Sequence, residues 1–149
     1  MELWIDGDGC PVVRQAVAIA RTYGLPIWIV CDTAHEIQLP GAQTLVVSKG
    51  ADSADFVLVN RIHAGDVVVT QDYGLAAMCL ARGAVPLRQD GLWYTTENIQ
   101  SLLQSRHMAQ RIRRGGGRLK GPKKRTAQQD QAFCRALGDY LKETLGTEK

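Results

Sequence analysis

The stretch ELWIDGDGCPVVRQAVAIARTYG, residues 2–24, decides the fold class, because an apolar strand is followed directly by an amphipathic helix. The strand ends at Asp6. The helix has Pro11 available for its first turn and Gly24 for its carboxyl cap, the positions at which these two residue types are most frequent. A strand that leads at once into a helix is typical of the first unit of an α/β domain.

The same alternation continues along the chain. Four further apolar segments have the composition of strands covered on both faces, the last of them weaker: PIWIVC (26–31), QTLVVS (43–48), DVVVT (66–70) and AVPLR (84–88). Three helical segments lie between or after them: DSADFVLVNRIHAG (52–65), QDYGLAAMCLARG (71–83) and YTTENIQSLLQSRHMAQRIRR (94–114). This order predicts a three-layer α/β sandwich with a mostly parallel sheet and additional carboxyl-terminal helices.

The composition indicates one globular domain over residues 1–149, with 45% hydrophobic and 22% charged residues. No run approaches the roughly 18 apolar residues that a membrane helix needs, and the amino end is acidic where a secretory signal would be basic. The four cysteines are too far apart in sequence for the usual zinc motifs. We therefore expect a cytoplasmic protein that does not bind membranes.

Positive charge is concentrated near the carboxyl end. Residues 99–129 contain no Asp or Glu but hold nine of the 18 basic residues: Arg106, Arg111, Arg113, Arg114, Arg118, Lys120, Lys123, Lys124 and Arg125. The glycine-rich part of this block predicts a flexible loop, so residues 106–125 are expected to form a basic arm or loop that contacts nucleic-acid phosphates. A solvated surface that only aids solubility is the alternative. Residues 126–145, which start with a capping box at Thr126 and Gln129, are expected to form a helix that docks on the body.

Acidic residues follow the predicted strands. Asp6 and Asp8 follow the first strand, Asp72 follows the fourth, and Asp52 and Asp55 begin the helix after the third. Because ligands of an open parallel sheet bind beyond the carboxyl ends of its strands, these carboxylates are expected to meet at one edge and share a hard divalent cation such as Mg²⁺. Each of Asp8, Asp52 and Asp72 is also placed where an aspartate serves simply as a helix cap.

Five motifs in order resemble the YaiI/YqxD family of uncharacterised bacterial proteins: DGDGCPV (6–12), GADSADFVLVNRI (50–62), GDVVVTQDYGLA (65–76), YTTENI (94–99) and GPKKRT (121–126). That family is regarded as similar to PIN-like nuclease domains. The resemblance implies a PIN-like fold that cleaves RNA with magnesium or manganese. By position it implies Asp6, Asp55 and Asp72 as the catalytic acids, with Thr70 as a hydrogen-bonding support for a carboxylate.

Two other functions remain open. DGDG after a strand also resembles the D-x-D-G motif of haloacid-dehalogenase phosphatases, which would make Asp6 a nucleophile and Asp8 a general acid. That family has a threonine or similar residue where this chain has Cys10, and its last acidic motif follows a strand, whereas Asp66 precedes one. The remaining alternative is a non-catalytic nucleic-acid-binding or ribosome-associated module.

Overall fold

The computed structural model describes residues 1–33, 36–48, 53–116 and 124–146. Its sheet has five strands: β1 (Leu3–Asp6), β2 (Ile27–Asp32), β3 (Gln43–Val47), β4 (Val67–Val69) and β5 (Val85–Leu87). All four strand pairs are parallel, and the order across the sheet is β3-β2-β1-β4-β5. The predicted parallel α/β sheet is therefore confirmed.

Five helices cover the sheet within the described ranges: α1 (Val13–Thr22), α2 (Ser53–Arg61), α3 (Tyr73–Ala81), α4 (Ile99–Arg114) and α5 (Ala127–Leu145). The predicted start of the first helix is wrong by a few residues, because Pro11 lies in a turn that precedes Val13. The turn begins where the Cys10 backbone amide donates to the carbonyl of Gly7 at 3.1 Å. Gly24 directly follows Tyr23, the carboxyl cap of this helix, and has a φ of 68°, as expected of a glycine that ends a helix.

The helices form a layer on each face of the sheet. On one face, a core cluster joins inward side chains of the strands to α1 and α5, including Val17, Phe133, Leu137 and Leu141. On the other face, Trp4 and the remaining strand residues pack against α2 and α3, and α4 lies against α3. The protein is thus a three-layer sandwich, with α5 packed against the same core as the first helix.

The direction in which the chain moves across the sheet reverses at the neighbouring strands β1 and β4. From β1 the chain moves outward through β2 to β3, and then it crosses back to β4 and continues outward to β5. Loops that leave the carboxyl ends of β1 and β4 therefore diverge in opposite directions and leave a crevice between them. Parallel α/β sheets bind their ligands in such crevices.

Asp66 lies at the other end of β4 and is only 3% exposed. Its carboxylate accepts hydrogen bonds from the backbone amides of Glu2 at 2.9 Å and His63 at 2.8 Å, and from the Trp4 indole nitrogen at 3.3 Å. Asp66 therefore stabilises the turn before the strand, the role expected from its position in the sequence.

Within the described ranges, no helix combines the length and the apolar character that crossing a bilayer requires.

Candidate metal and nucleic-acid site

Three of the predicted acids line one pocket in the crevice between β1 and β4. Asp6 is the last residue of β1, Asp8 follows it by two residues, and Asp72 is the amino-terminal cap of α3. Together with Gln71 and Tyr73, they surround a volume of about 310 Å³, which we call the acidic pocket. Residues 64 to 66 positions apart in sequence therefore meet in space, as the strand pattern predicts.

The buried hydroxyl of Thr70 links the carboxyl ends of β1 and β4. It donates to Asp6 Oδ2 at 2.8 Å and accepts from the Asp72 backbone amide at 2.9 Å. Asp72 Oδ1 in turn accepts from the Leu75 backbone amide at 3.1 Å. Asp72 is therefore a helix cap and a wall of the acidic pocket at the same time, so the two interpretations of this residue do not exclude each other.

Close packing against β2 fixes the chain between Asp6 and Asp8. The Gly7 amide donates to the Val30 carbonyl at 2.8 Å, and a Cβ at Gly7 would lie 2.9 Å from a methyl carbon of Ile29. Only a residue without a side chain fits there. After this close approach the chain turns, and Asp8 Oδ1 accepts from the Asp32 backbone amide at 3.2 Å.

The pKa of Asp6 is raised from its ordinary value of 3.8 to about 6. Burial is the main cause, and the hydrogen bond from Thr70 opposes it in part. The charges that act on Asp6 within the described residues are those of Asp72 and Asp8, and both are negative. The like charges therefore add to the cost of ionising Asp6, and a bound cation would remove that cost.

The raised pKa of Asp6 leads to a testable prediction about stability. The pKa of Asp6 is higher in the folded protein than its ordinary value, so the protonated carboxyl favours the folded state. This contribution to stability is complete below pH 3.8 and is lost as the pH rises through about 6. Asp6→Asn should therefore stabilise the metal-free protein by about 3 kcal/mol at pH 8 and have little effect at pH 3.5. Urea unfolding in EDTA measures the difference, with the exposed Asp139→Asn as the control. A gain that does not depend on pH would contradict this explanation.

Asp55 does not line the acidic pocket. It lies in the first turn of α2. Burial is the main cause that raises the pKa of the Cys79 thiol to about 12, and the negative charges of Asp55 and Asp6 raise it further. Asp55 and Asp6 thus act on Cys79 from different elements of the fold. The other predicted acid on this segment, Asp52, lies outside the described residues.

The acidic pocket is an open arrangement of carboxylates. As the side chains stand in the described ranges, no three Asp, Glu, His or Cys residues form a finished ligand set for a metal. Magnesium usually takes one or two carboxylates and keeps several waters, so an open set of oxygen donors fits this ion better than it fits zinc. Asp6, Asp8 and Asp72 are the residues that can supply those oxygens.

The predicted basic block is spread over different parts of the structure. Helix α4 carries four of its members, whose side chains the structure does not describe: Arg106, Arg111, Arg113 and Arg114. Three more lie outside the described residues: Arg118, Lys120 and Lys123. Lys124 is exposed. Arg125 is anchored to the body: its Nε donates to Asp130 Oδ1 at 2.6 Å, and its Nη2 donates to the Gln89 carbonyl. Arg125 is therefore held in place by the fold, unlike a residue of a flexible arm.

A second pocket beside the acidic one was not predicted from the sequence. It has a volume of about 240 Å³ and is lined by Gln71, Tyr73, Arg88, Asp90, Arg125 and Gln129. Arg88 follows directly after β5, at the same edge of the sheet as the acids. Applying the carboxyl-edge rule to basic as well as acidic residues would have selected it. We call this the arginine pocket.

Comparison with known proteins places the chain among relatives of similar length. The family model of the uncharacterized YaiI/YqxD proteins matches residues 4–143. The chain belongs to this family. A UPF0178 protein of Exiguobacterium sibiricum is 50% identical over 143 residues, covering 96% of this chain and 98% of the relative. Another, from Ruminiclostridium cellulolyticum, is 44% identical over 142 residues, with 95% and 93% covered. The family resemblance of the sequence motifs is therefore confirmed.

Among solved structures, Rae1 (YacP) from Bacillus subtilis, as its W164L mutant, is similar to this member of the YaiI/YqxD family with a TM-score of 0.44. The sequence identity is 16%, and the match covers 97% of this chain and 99% of the other. So distant a likeness has no bearing on the function.

Proposed function

We propose that the protein is a divalent-metal-dependent nuclease that hydrolyses phosphodiester bonds of RNA. The observation that supports this best is the placement of Asp6, Asp8 and Asp72 in one pocket, at the crevice between β1 and β4. RNA is the substrate that the resemblance of the family to PIN-like domains implies. The free thiols of Cys10, Cys31, Cys79 and Cys134 suit a reducing compartment, so we place the enzyme in the cytoplasm.

Mg²⁺ or Mn²⁺ would be held by oxygens of Asp6, Asp8 and Asp72, with Asp52 and Asp55 as further candidate ligands. When bound, such an ion lowers the pKa of a coordinated water and offsets the charge of a phosphodiester. The protein supplies a rigid frame for this chemistry, since Thr70 fixes the Asp6 carboxylate and the Asp72 backbone at once. The acids proposed to act in catalysis are Asp6, Asp55 and Asp72. Asp6 and Asp72 line the acidic pocket, and Asp55 does not.

RNA cleavage by the purified full chain tests the proposal. Labelled single-stranded and hairpin RNAs should be degraded in Mn²⁺ or Mg²⁺, and EDTA should abolish the degradation. Binding of RNA without cleavage under either ion would contradict the nuclease and support the non-catalytic binding module. Trapping of Asp6 by beryllofluoride, with turnover of small phosphate esters and no RNA cleavage, would support the phosphatase instead.

The basic residues after α4 are proposed to hold the RNA backbone. The double substitution Lys123→Gln and Lys124→Gln should weaken RNA binding and lower the slope of log K against log salt concentration by about 0.7 for each phosphate that is no longer neutralised. We leave Arg125 unchanged, because its bonds to Asp130 and Gln89 make it part of the fold. Fluorescence anisotropy at several salt concentrations measures the slope, with Lys142→Gln on α5 as the control. An unchanged slope would exclude these lysines from the RNA site.

A further inference from the structure

The arginine pocket and the acidic pocket are two parts of one cleft, because Gln71 and Tyr73 line both of them. A substrate strand bound over the carboxylates can therefore extend directly into the arginine pocket. The acidic pocket has three carboxylates in its wall, and the arginine pocket has two guanidinium groups. Within the length of a few side chains, the wall of the cleft thus changes from carboxylates alone to two guanidinium groups beside one carboxylate, that of Asp90.

Arg88 is held rigidly in one wall of the arginine pocket. Its Nε and Nη2 donate to the two carboxylate oxygens of Asp90, each at 2.8 Å, and its Nη1 donates to the Tyr73 hydroxyl at 3.1 Å. The bonds to Asp90 raise the pKa of Arg88 further above its already high ordinary value, so the group stays charged. These contacts use three of the five N–H groups of a guanidinium and orient the other two.

Arg125 approaches the arginine pocket from the amino end of α5. Its side chain is 24% exposed, and it is tied down by Asp130 and by the Gln89 carbonyl. Since a guanidinium has five N–H groups, those two bonds leave others that can donate to a ligand. The charges of Asp90 and Asp130 are directed to their own arginines, so the pocket combines fixed donors with little net charge. Donors fixed before binding cost the least entropy when a ligand binds.

The pocket has the size and the donors for a phosphate group. A volume of about 240 Å³ is below the roughly 300–1,000 Å³ of pockets that enclose drug-sized ligands, but it accommodates a phosphate with part of its sugar. Arginine is the side chain best suited to bind phosphate through two parallel hydrogen bonds. Tyr73 stands at the boundary of the two pockets, with its ring edge-to-face against Tyr94 at 5.8 Å between centroids, which fixes its position.

We infer that Arg88 and Arg125 form a subsite for a phosphate of the substrate strand, next to the nucleotide whose bond lies over the carboxylates. This inference rests on the proposed function for its role in RNA cleavage, but binding at the subsite does not require a metal. The phosphate is either an internal phosphodiester of the strand or its terminal monophosphate. Both sources present at least two non-bridging phosphate oxygens to the two guanidinium groups.

Titration of the metal-free wild-type protein tests the subsite directly. In EDTA, inorganic phosphate and adenosine 5′-monophosphate should each shift the Nε–H resonances of Arg88 and Arg125 to saturation, and adenosine should not. The Arg88→Gln variant should bind the monophosphate at least tenfold more weakly, while Arg82→Gln, at the exposed end of α3, binds it normally. Absence of saturable shifts at millimolar ligand, or equal shifts by adenosine, would overturn the inference, and the wild-type titration decides it even if Arg88→Gln does not fold.

RNA kinetics separate this inference from the proposed function. If the nuclease proposal holds, Arg88→Gln should raise KM for RNA with little change in kcat, and a larger effect on 5′-phosphorylated than on 5′-hydroxyl RNA would identify the terminal phosphate as the ligand. An equal effect on both would identify an internal phosphate. Cleavage without phosphate binding would refute the subsite alone, whereas phosphate binding without cleavage would refute only the nuclease.

Discussion

Asp72→Asn is expected to reduce the rate of RNA cleavage by roughly 10³-fold, because it removes one carboxylate from the proposed metal site and with it about 4 kcal/mol of transition-state stabilisation. The fold should persist, since asparagine caps helices as well as aspartate does and can still accept from the Leu75 amide. RNA affinity should also persist or rise slightly, because the substitution removes a negative charge beside a polyanion. Single-turnover cleavage and anisotropy measure the two effects separately.

The matched control for this variant is Asp139→Asn, the same chemical change on the exposed face of α5. It should cleave RNA at the wild-type rate. Wild-type cleavage by Asp72→Asn would show that the acidic pocket does not carry the chemistry. Loss of cleavage in both variants would show that the effect is not specific to the cleft.

Phe133→Ala is expected to lower the free energy of unfolding by about 3–5 kcal/mol. Phe133 is fully buried and is the largest such side chain among the described residues, in the cluster that joins α5 to α1 and the sheet. Removing its ring would leave a cavity between helix and sheet. Because α5 also carries Asp130, the partner of Arg125, the change should loosen the arginine pocket as well. Urea denaturation measures the loss of stability.

Phe56→Ala provides the control for this prediction. Phe56 is 62% exposed on α2, so the same truncation should change the stability by no more than about 0.5 kcal/mol. If Phe133→Ala costs as little as Phe56→Ala, then α5 is not part of the core.

The sequence predicted the elements well because burial on both faces gives parallel strands a nearly continuous apolar composition. All five strands were found, including the short β5 (Val85–Leu87). The order β3-β2-β1-β4-β5 was not predicted, since the identity of a strand's neighbour depends on packing between segments far apart in sequence. The start of α1 was misplaced because the turn after Gly7 takes up two more residues than the proline rule allows for.

Asp6, Asp8 and Asp72 could be predicted to meet because each follows a strand, and the carboxyl ends of parallel strands share an edge. Asp55 lies in the first turn of a helix, so the direction of its side chain depends on how α2 packs. The glycine content and the charge of the block place Arg125 in a basic loop, but composition carries no information about its partner Asp130. These differences share one cause: local pattern predicts position along an element, but not tertiary contacts.

Anomalous diffraction from a crystal soaked in MnCl₂ would decide whether the acidic pocket binds a divalent metal. We expect a manganese peak in this pocket, within coordination distance of carboxylate oxygens of Asp6, Asp8 or Asp72, and the loss of that peak in Asp6→Asn. A saturating soak that leaves the pocket without a peak, or that places manganese only at other carboxylates, would contradict the proposed metal site.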